Sequence, residues 1–238
     1  MNQKSCVAVR SFRKISSEGF MASHKKTKVV SFYFDSPLVI IFAVISLFIM
    51  LLNSIAESRG AVGLLGFFSA PTSFRVAETA FNFRNPVHYL RLFLHVFGQK
   101  QWVHLVRDLS FILMVGPQLE MLYGTKLLLL MFSVCAFVTG VLNACFLSVP
   151  LCGAGGIAFM MILLTVYMSI KKQVVPVSCV LLLLLYIGQG ISNAGGGNTE
   201  IIHLIGGICG SLFGMIQTEK KPAAAPKKQP QNIDTDSV

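Results

Sequence analysis

The sequence predicts an all-α membrane protein, built as one bundle of six transmembrane helices. Of its 238 residues, 54% are apolar and only 13% are charged, whereas soluble domains carry about one charged residue in four. Three runs, residues 127–149, 151–170 and 201–218, contain no Asp, Glu, Lys or Arg. Each is close to the ~20 residues with which an α-helix crosses about 30 Å of hydrocarbon.

The remaining three spans are predicted from the rest of the chain. Residues 37–52 and 174–191 are further apolar runs without a charged side chain. Another span is hidden, because the apolar stretch 109–119 is about half the length that is needed. When this stretch is extended upstream to Trp102 it reaches about 27 Å at 1.5 Å per residue, and its polar residues then fall at one end.

The basic residues predict the orientation of these spans. The net charge is +10, but Lys and Arg cluster at helix ends and tails, which argues against nucleic acid as a partner. Six spans place both termini on one side, together with Lys126, Lys171, Lys172 and the lysines of residues 220–228. The positive-inside rule then places both termini in the cytoplasm. We expect an integral multi-pass protein of a bacterial inner (cytoplasmic) membrane.

Three regions follow from this topology. Residues 1–35 form a basic cytoplasmic arm, residues 36–217 form the membrane domain, and residues 218–238 form a flexible cytoplasmic tail rich in Pro and Lys. The sequence leaves open whether translation starts at Met1 or Met21.

Polar and glycine-rich features from three distant segments are predicted to lie at similar depth near the outer surface. His104 and Asp108 are four residues apart, so they share one helix face. Residues 153–156 open the fourth predicted span, and His203 lies near the start of the last one. Ionisable groups at that depth are costly, so they are functional candidates that face a protein interior or a water-filled cavity.

A stripe of small residues predicts which helices meet there. Gly206, Gly210 and Gly214 recur every four residues on the last span and let another backbone approach closely. The predicted partner is the fourth span, which begins with the small residues Gly155 and Gly156. That contact brings position 155 next to a histidine, the arrangement in which a serine hydrolase sets its nucleophile against a base.

Several motifs combine with this arrangement. They are Arg91 after Tyr89-Leu90, then Leu94-His95, His104-x-x-x-Asp108 nine positions further on, Gly116-Pro117-x-x-Glu120-x-x-Tyr123-Gly124, Gly153-Ala154-Gly155-Gly156, and His203-x-x-Gly206-Gly207-x-x-Gly210. In this combination the chain resembles the rhomboid intramembrane serine proteases over residues 36–217. The resemblance implies a six-helix rhomboid-like bundle whose Phe-rich first loop forms a lateral wing in the membrane. It also implies structural roles for Gly153, Gly156, Gly206, Gly210, Gly214, Arg91, Glu120 and Gly124.

The resemblance implies roles for four site positions as well. His203 matches the general base, and His104 matches a donor of the oxyanion hole. Gly155 stands where rhomboids carry the nucleophilic serine, and Asp108 stands where they carry an oxyanion-hole asparagine. Without a hydroxyl no acyl-enzyme forms, and a carboxylate is an acceptor where a hydrogen-bond donor is needed.

These departures favour a pseudoprotease, a proteolytically inactive relative of an intramembrane serine-type endopeptidase. Its partners are then the lipid bilayer and client membrane proteins, whose transmembrane segments it binds through a lateral gap near the second and fifth spans. No cofactor and no metal ion are expected. The sequence leaves open which clients these are and the oligomeric state.

The sequence leaves other functions open. The chain is an active protease if His203 activates water, if the Cys152 thiol attacks, or if His104, Asp108 and His203 hold a metal ion. Cys152 precedes the helix, however, and a buried thiol stays protonated. A hydrogen-bonded pair of His104 and Asp108 explains the same residues without a metal. A small-solute transporter uses Gly-rich helices too, but the paired inverted breaks of such proteins are missing here.

Overall fold

The computed structural model describes residues 36–60, 64–73, 79–193 and 199–217. The predicted N-terminal arm, the predicted C-terminal tail and both candidate start methionines lie outside the described residues. So do short stretches of the first loop and of the turn that precedes the last helix.

The described residues form seven α-helices and two short 3₁₀ turns, with two isolated β-bridges and no strand. The helices are α1 (Pro37–Ser58), α2 (Pro86–Leu94), α3 (Trp102–Tyr123), α4 (Thr125–Phe146), α5 (Gly155–Lys171), α6 (Val177–Asn193) and α7 (Thr199–Ile216), and the 3₁₀ turns are Leu64–Gly66 and His95–Phe97. The predicted all-α class is therefore confirmed for the part of the chain that the structure describes.

Within those residues, three helices are long and apolar enough to cross a membrane: α1, α4 and α7. The helices α5 and α6 are apolar but shorter, and α3 carries Arg107, Asp108 and Glu120 along its 22 residues. The integral membrane character is thus supported, while the predicted number of six spans stays a prediction.

The two apolar runs on either side of Pro150 are longer than the helices that they contain. The runs cover residues 127–149 and 151–170, whereas α4 ends at Phe146 and α5 begins at Gly155, within the residues 153–156 that were predicted to open the fourth span. Pro150 and the positive φ of Gly153, +132°, are incompatible with a helix through this stretch. Instead, the Gly153 N–H donates to the carbonyl oxygen of His95 at 3.0 Å.

Glu120 fixes the start of α1 against the end of α3. Its two carboxylate oxygens accept the backbone N–H groups of Leu38 at 3.0 Å and Val39 at 3.1 Å, and one of them also accepts the Thr125 hydroxyl at 2.8 Å. A carboxylate at this place satisfies N–H groups that have no partner within the helix and complements the helix dipole. Gly124, with a φ of +79°, turns the chain directly from α3 into α4.

Helix α5 is the centre of the bundle. It packs against α3, α4, α6 and α7, and a continuous run of its side chains, Ile157 to Met161, is at most 3% exposed. A 17-residue helix enclosed in this way holds its first residue, Gly155, inside the protein instead of at the lipid surface.

The glycine stripe of α7 packs against two helices, whereas the sequence predicted one. A Cβ added to Gly210 would lie 2.6 Å from Met160 Sδ on α5 and 2.9 Å from the Cβ of Cys135 on α4, and one added to Gly206 would collide with Thr139 on α4. The stripe therefore faces the groove between α4 and α5. The closest approach of α7 to the α5 backbone is made by Gly207, whose added Cβ would lie 2.8 Å from the Gly156 carbonyl oxygen.

Candidate functional site

The structure brings position 155 against His203. A Cβ added to Gly155 would lie 3.3 Å from Cγ and 3.4 Å from Cδ2 of the His203 ring, and both residues are buried. The next residue of α5 is bonded to the same ring, because the Gly156 N–H donates to His203 Nδ1 at 3.2 Å. The first turn of α5 thus holds the imidazole in place.

This hydrogen bond determines where the ring carries its proton. Since Nδ1 of His203 accepts an N–H group, the proton of the neutral ring is on Nε2. A general base needs an unprotonated nitrogen directed at the group that it activates. The unprotonated nitrogen of His203 already accepts a hydrogen bond from the α5 backbone.

Tyr186 closes the other side of position 155. Its hydroxyl donates to the Gly155 carbonyl oxygen at 2.7 Å and lies 3.3 Å from the place where a Cβ of residue 155 would be. The ring is buried and stacks on Phe159, with the ring centroids 5.5 Å apart. Sequence reasoning missed Tyr186, although a lone tyrosine in the Leu-rich run of α6 was a signal that could have identified it.

A polar cavity of about 130 Å³ lies beside this group. Among the residues that line it are His104 and Asp108 from α3, Cys152 and Gly153 from the loop before α5, and His203 from α7. The structure therefore collects side chains of three distant segments around one cavity. Its volume accommodates a few water molecules, at roughly 30 Å³ each.

Asp108 has other partners than the sequence predicted. Its side chain is 1% exposed; Oδ1 accepts from Arg107 Nε at 2.7 Å, and Oδ2 accepts from Gln99 Nε2 at 3.2 Å. These two bonds take the place of the hydrogen bond between His104 and Asp108 that the sequence offered as an alternative to a metal site, and no such bond is found among the described residues. A buried carboxylate is costly without a cation, and Arg107 supplies one.

Arg107 links two helices of the site. Besides its ion pair with Asp108, its guanidinium carbon lies 5.7 Å from the centroid of the Tyr186 ring, a distance typical of a cation–π contact. The sequence signal was the Arg-Asp dipeptide itself. Gln99 carried no such signal, since it lies in a loop nine residues before Asp108.

The alternative catalytic groups are poorly placed. Burial raises the pKa of the Cys152 thiol to about 11, although the charge of Lys100 opposes this shift. A thiol with that pKa is almost entirely protonated at neutral pH and is a weak nucleophile. No group of three His, Cys, Asp or Glu residues in the described ranges is arranged to hold a metal ion.

The predicted structural residues hold the first loop in place. Arg91 on α2 donates from Nε to the carbonyl oxygen of Ser69 at 2.9 Å and from a terminal nitrogen to the Ser69 hydroxyl at 3.3 Å. A Cβ on Gly153 would lie 3.3 Å from Gln99 Oε1, so this glycine leaves room for the amide that binds Asp108. These contacts connect the loop with the wall of the cavity.

Comparison with known proteins places this fold and cavity in a family. No curated protein matches the chain. The model of the rhomboid domain matches residues 86–220, which is more than half of the chain and includes α2 to α7. The chain belongs to the rhomboid family.

Proposed function

We propose that this rhomboid-family protein is proteolytically inactive and binds the transmembrane segments of other membrane proteins. One observation carries the proposal: the residue that α5 presents to His203 is Gly155, which has no side chain. In a serine hydrolase, removal of the nucleophile lowers turnover by about 10⁶. The imidazole of His203 is bonded to the α5 backbone instead.

The pairing of Asp108 supports the loss of catalysis independently. An oxyanion hole needs hydrogen-bond donors directed at the developing negative charge. Asp108 offers a carboxylate, and its oxygens are already used by Arg107 and Gln99. Loss of one such donor lowers turnover by roughly 10²–10³ in other hydrolases.

A second cavity supports the binding of a transmembrane segment. About 330 Å³ of space lies between α3, α5 and α6, lined mainly by apolar side chains that include Met114, Ile162 and Leu182, with the hydroxyls of Thr165 and Ser178. Apolar surface with small polar groups is what transmembrane helices use to associate. In this proposal a client helix docks at the gap between α3 and α6, and all six long helices cross the membrane with both termini in the cytoplasm.

The proposal is tested by proteolysis in proteoliposomes. The substrate is a single-span protein with a helix-breaking sequence near its outer end, and its cleavage is measured for the wild type, Gly155→Ser, and Gly155→Ser with Asp108→Asn. We expect no cleavage by the wild type, because residue 155 brings no hydroxyl to His203. Cleavage by the double variant, abolished by His203→Ala, would support a site that lacks only its reactive groups.

Cleavage by the wild type itself would refute the proposal. Inhibition of that cleavage by a thiol reagent would assign it to Cys152, and inhibition by a chelator would assign it to a metal ion. Cleavage that resists both reagents would assign it to water activated by His203.

A further inference from the structure

An apolar groove lies between the first loop and α4. It has a volume of about 220 Å³ and is lined by Phe81, Phe83 and Tyr89 on one side and by Phe137, Val141 and Cys145 on the other, with no charged residue in its wall. None of these residues lines the cavity beside His203. The proposed function therefore leaves this groove unexplained.

The length of the groove matches one leaflet of a bilayer. It follows α4 from Phe137 to Cys145, which is about 12 Å at 1.5 Å per residue, and half of a hydrocarbon core is about 15 Å. One wall of the groove belongs to α4, which is one of the helices long and apolar enough to span a membrane. Phe83 and Tyr89 at its edge are 67% and 46% exposed.

A basic residue is adjacent in sequence to the groove residue Phe83. It is Arg84, and its side chain is exposed. No ion pair of Arg84 with a carboxylate is found among the described residues. Residues 79–100 contain no Asp or Glu, and Glu78, which directly precedes them, lies outside the described residues.

The neighbouring polar groups of the loop are already used. The Asn82 side chain accepts the Arg84 backbone N–H at 3.0 Å, and the Asn85 side chain accepts that of Val87, also at 3.0 Å. His88 Nδ1 accepts the Asn82 backbone N–H, and burial together with the charge of Arg91 lowers the pKa of His88. The guanidinium of Arg84 is therefore the free cationic donor at this edge, as far as the described residues extend.

We propose that this groove binds one acyl chain of an anionic phospholipid, with the lipid phosphate at Arg84. A narrow apolar groove beside an exposed cation is complementary to a chain that ends in a phosphate. In this proposal, the aromatic rings of Phe83 and Tyr89 lie at the depth where headgroup and chain meet.

The test uses the full-length protein in nanodiscs of phosphatidylcholine that contain a small fraction of a phosphatidylglycerol analogue with a photoactivatable acyl chain. After irradiation, mass spectrometry locates the labelled residues. We expect labels on the groove residues, above all on Val141 and Cys145. We also expect Arg84→Gln to weaken labelling by about fivefold, the effect of one basic residue near an anionic membrane surface.

Two matched pairs of variants test separately how the Arg84 charge and the apolar groove contribute to the labelling. Arg59→Gln removes an exposed arginine at the end of α1 and should leave the labelling unchanged. Val141→Trp fills the groove and should abolish labelling at Cys145, whereas Leu130→Trp places the same side chain on a part of α4 outside the groove and should not.

Each outcome decides the proposal. Labels spread evenly around the bundle of the wild type would overturn it without the use of any variant. Equal effects of Arg84→Gln and Arg59→Gln would overturn the phosphate contact, and equal effects of Val141→Trp and Leu130→Trp would overturn the acyl-chain site. A labelled phosphatidylcholine analogue that competes as well as phosphatidylglycerol would overturn the preference for an anionic headgroup.

Discussion

Gly207→Ala is expected to destabilise the contact between α5 and α7 that holds His203 in position. A Cβ at residue 207 would lie 2.8 Å from the Gly156 carbonyl oxygen and from Phe159 Cδ1, and 3.1 Å from the Met160 nitrogen. Ordinary contact begins near 3.4 Å, so α7 must move away from α5 by about 0.6 Å. Two of the three neighbours are backbone atoms, which cannot rotate away.

The expected cost is that of overpacking, about 1–3 kcal/mol of unfolding free energy. For a chain of this length, that cost corresponds to a fall in Tm of about 2–12 °C. Thermal unfolding of the purified protein in detergent, followed by circular dichroism, measures it. The matched control is Gly188→Ala on α6, where a Cβ meets nothing within 4 Å and where alanine favours the helix by up to about 1 kcal/mol. If Gly207→Ala unfolds at the same temperature as Gly188→Ala, the close approach of α5 and α7 is refuted.

Three further predictions concern buried polar groups. Arg107→Gln leaves the carboxylate of Asp108 buried without a cation and should cost about 3–5 kcal/mol in unfolding free energy, more than Asp108→Asn, because Arg107 is 14% exposed and reaches solvent. Glu120→Gln weakens the acceptor of two α1 N–H groups and of the Thr125 hydroxyl and should cost about 1–3 kcal/mol. Since burial raises the pKa of Cys152 to about 11, its alkylation rate by iodoacetamide should rise about tenfold per pH unit from pH 8 to pH 10.

The Glu120→Gln prediction has a control within the same chain. Glu57→Gln changes an exposed carboxylate near the end of α1. The Gln amide oxygen can still accept the bond from Asn53 Nδ2 that Glu57 accepts at 2.8 Å, so the unfolding free energy should change by less than about 0.5 kcal/mol. An Asp108→Asn variant less stable than Arg107→Gln, or a Cys152 rate that levels off below pH 9, would contradict the corresponding prediction.

The hydrophobic runs predicted the helices well, because spanning length and apolar composition are local properties of the sequence. The ends of the helices were harder to predict from the sequence. The start of α5 depends on Gly153, whose positive φ is stabilised by a bond to His95, a residue 58 positions away in the sequence. A contact between residues so far apart leaves no local pattern in the sequence.

The part of the site that depends on the identity of single residues was predictable from the sequence. Gly155 and His203 were expected to meet, and the structure places them together. The partners of Asp108 were not predictable in full, because Gln99 reaches it from a loop. Tyr186 binds a backbone carbonyl, so its role depends on the packing of α6 against α5.

The most direct test of the account measures binding and cleavage of one client in the same sample. A fluorescent single-span protein is mixed with the wild type in proteoliposomes; energy transfer reports the complex, and mass spectrometry reports the length of the client. We predict a complex in which the client keeps its full mass and which Leu182→Trp, filling the gap between α3 and α6, weakens more than Leu185→Trp on the exposed face of α6. Client fragments produced by the wild type, or a complex that both variants leave unchanged, would contradict it.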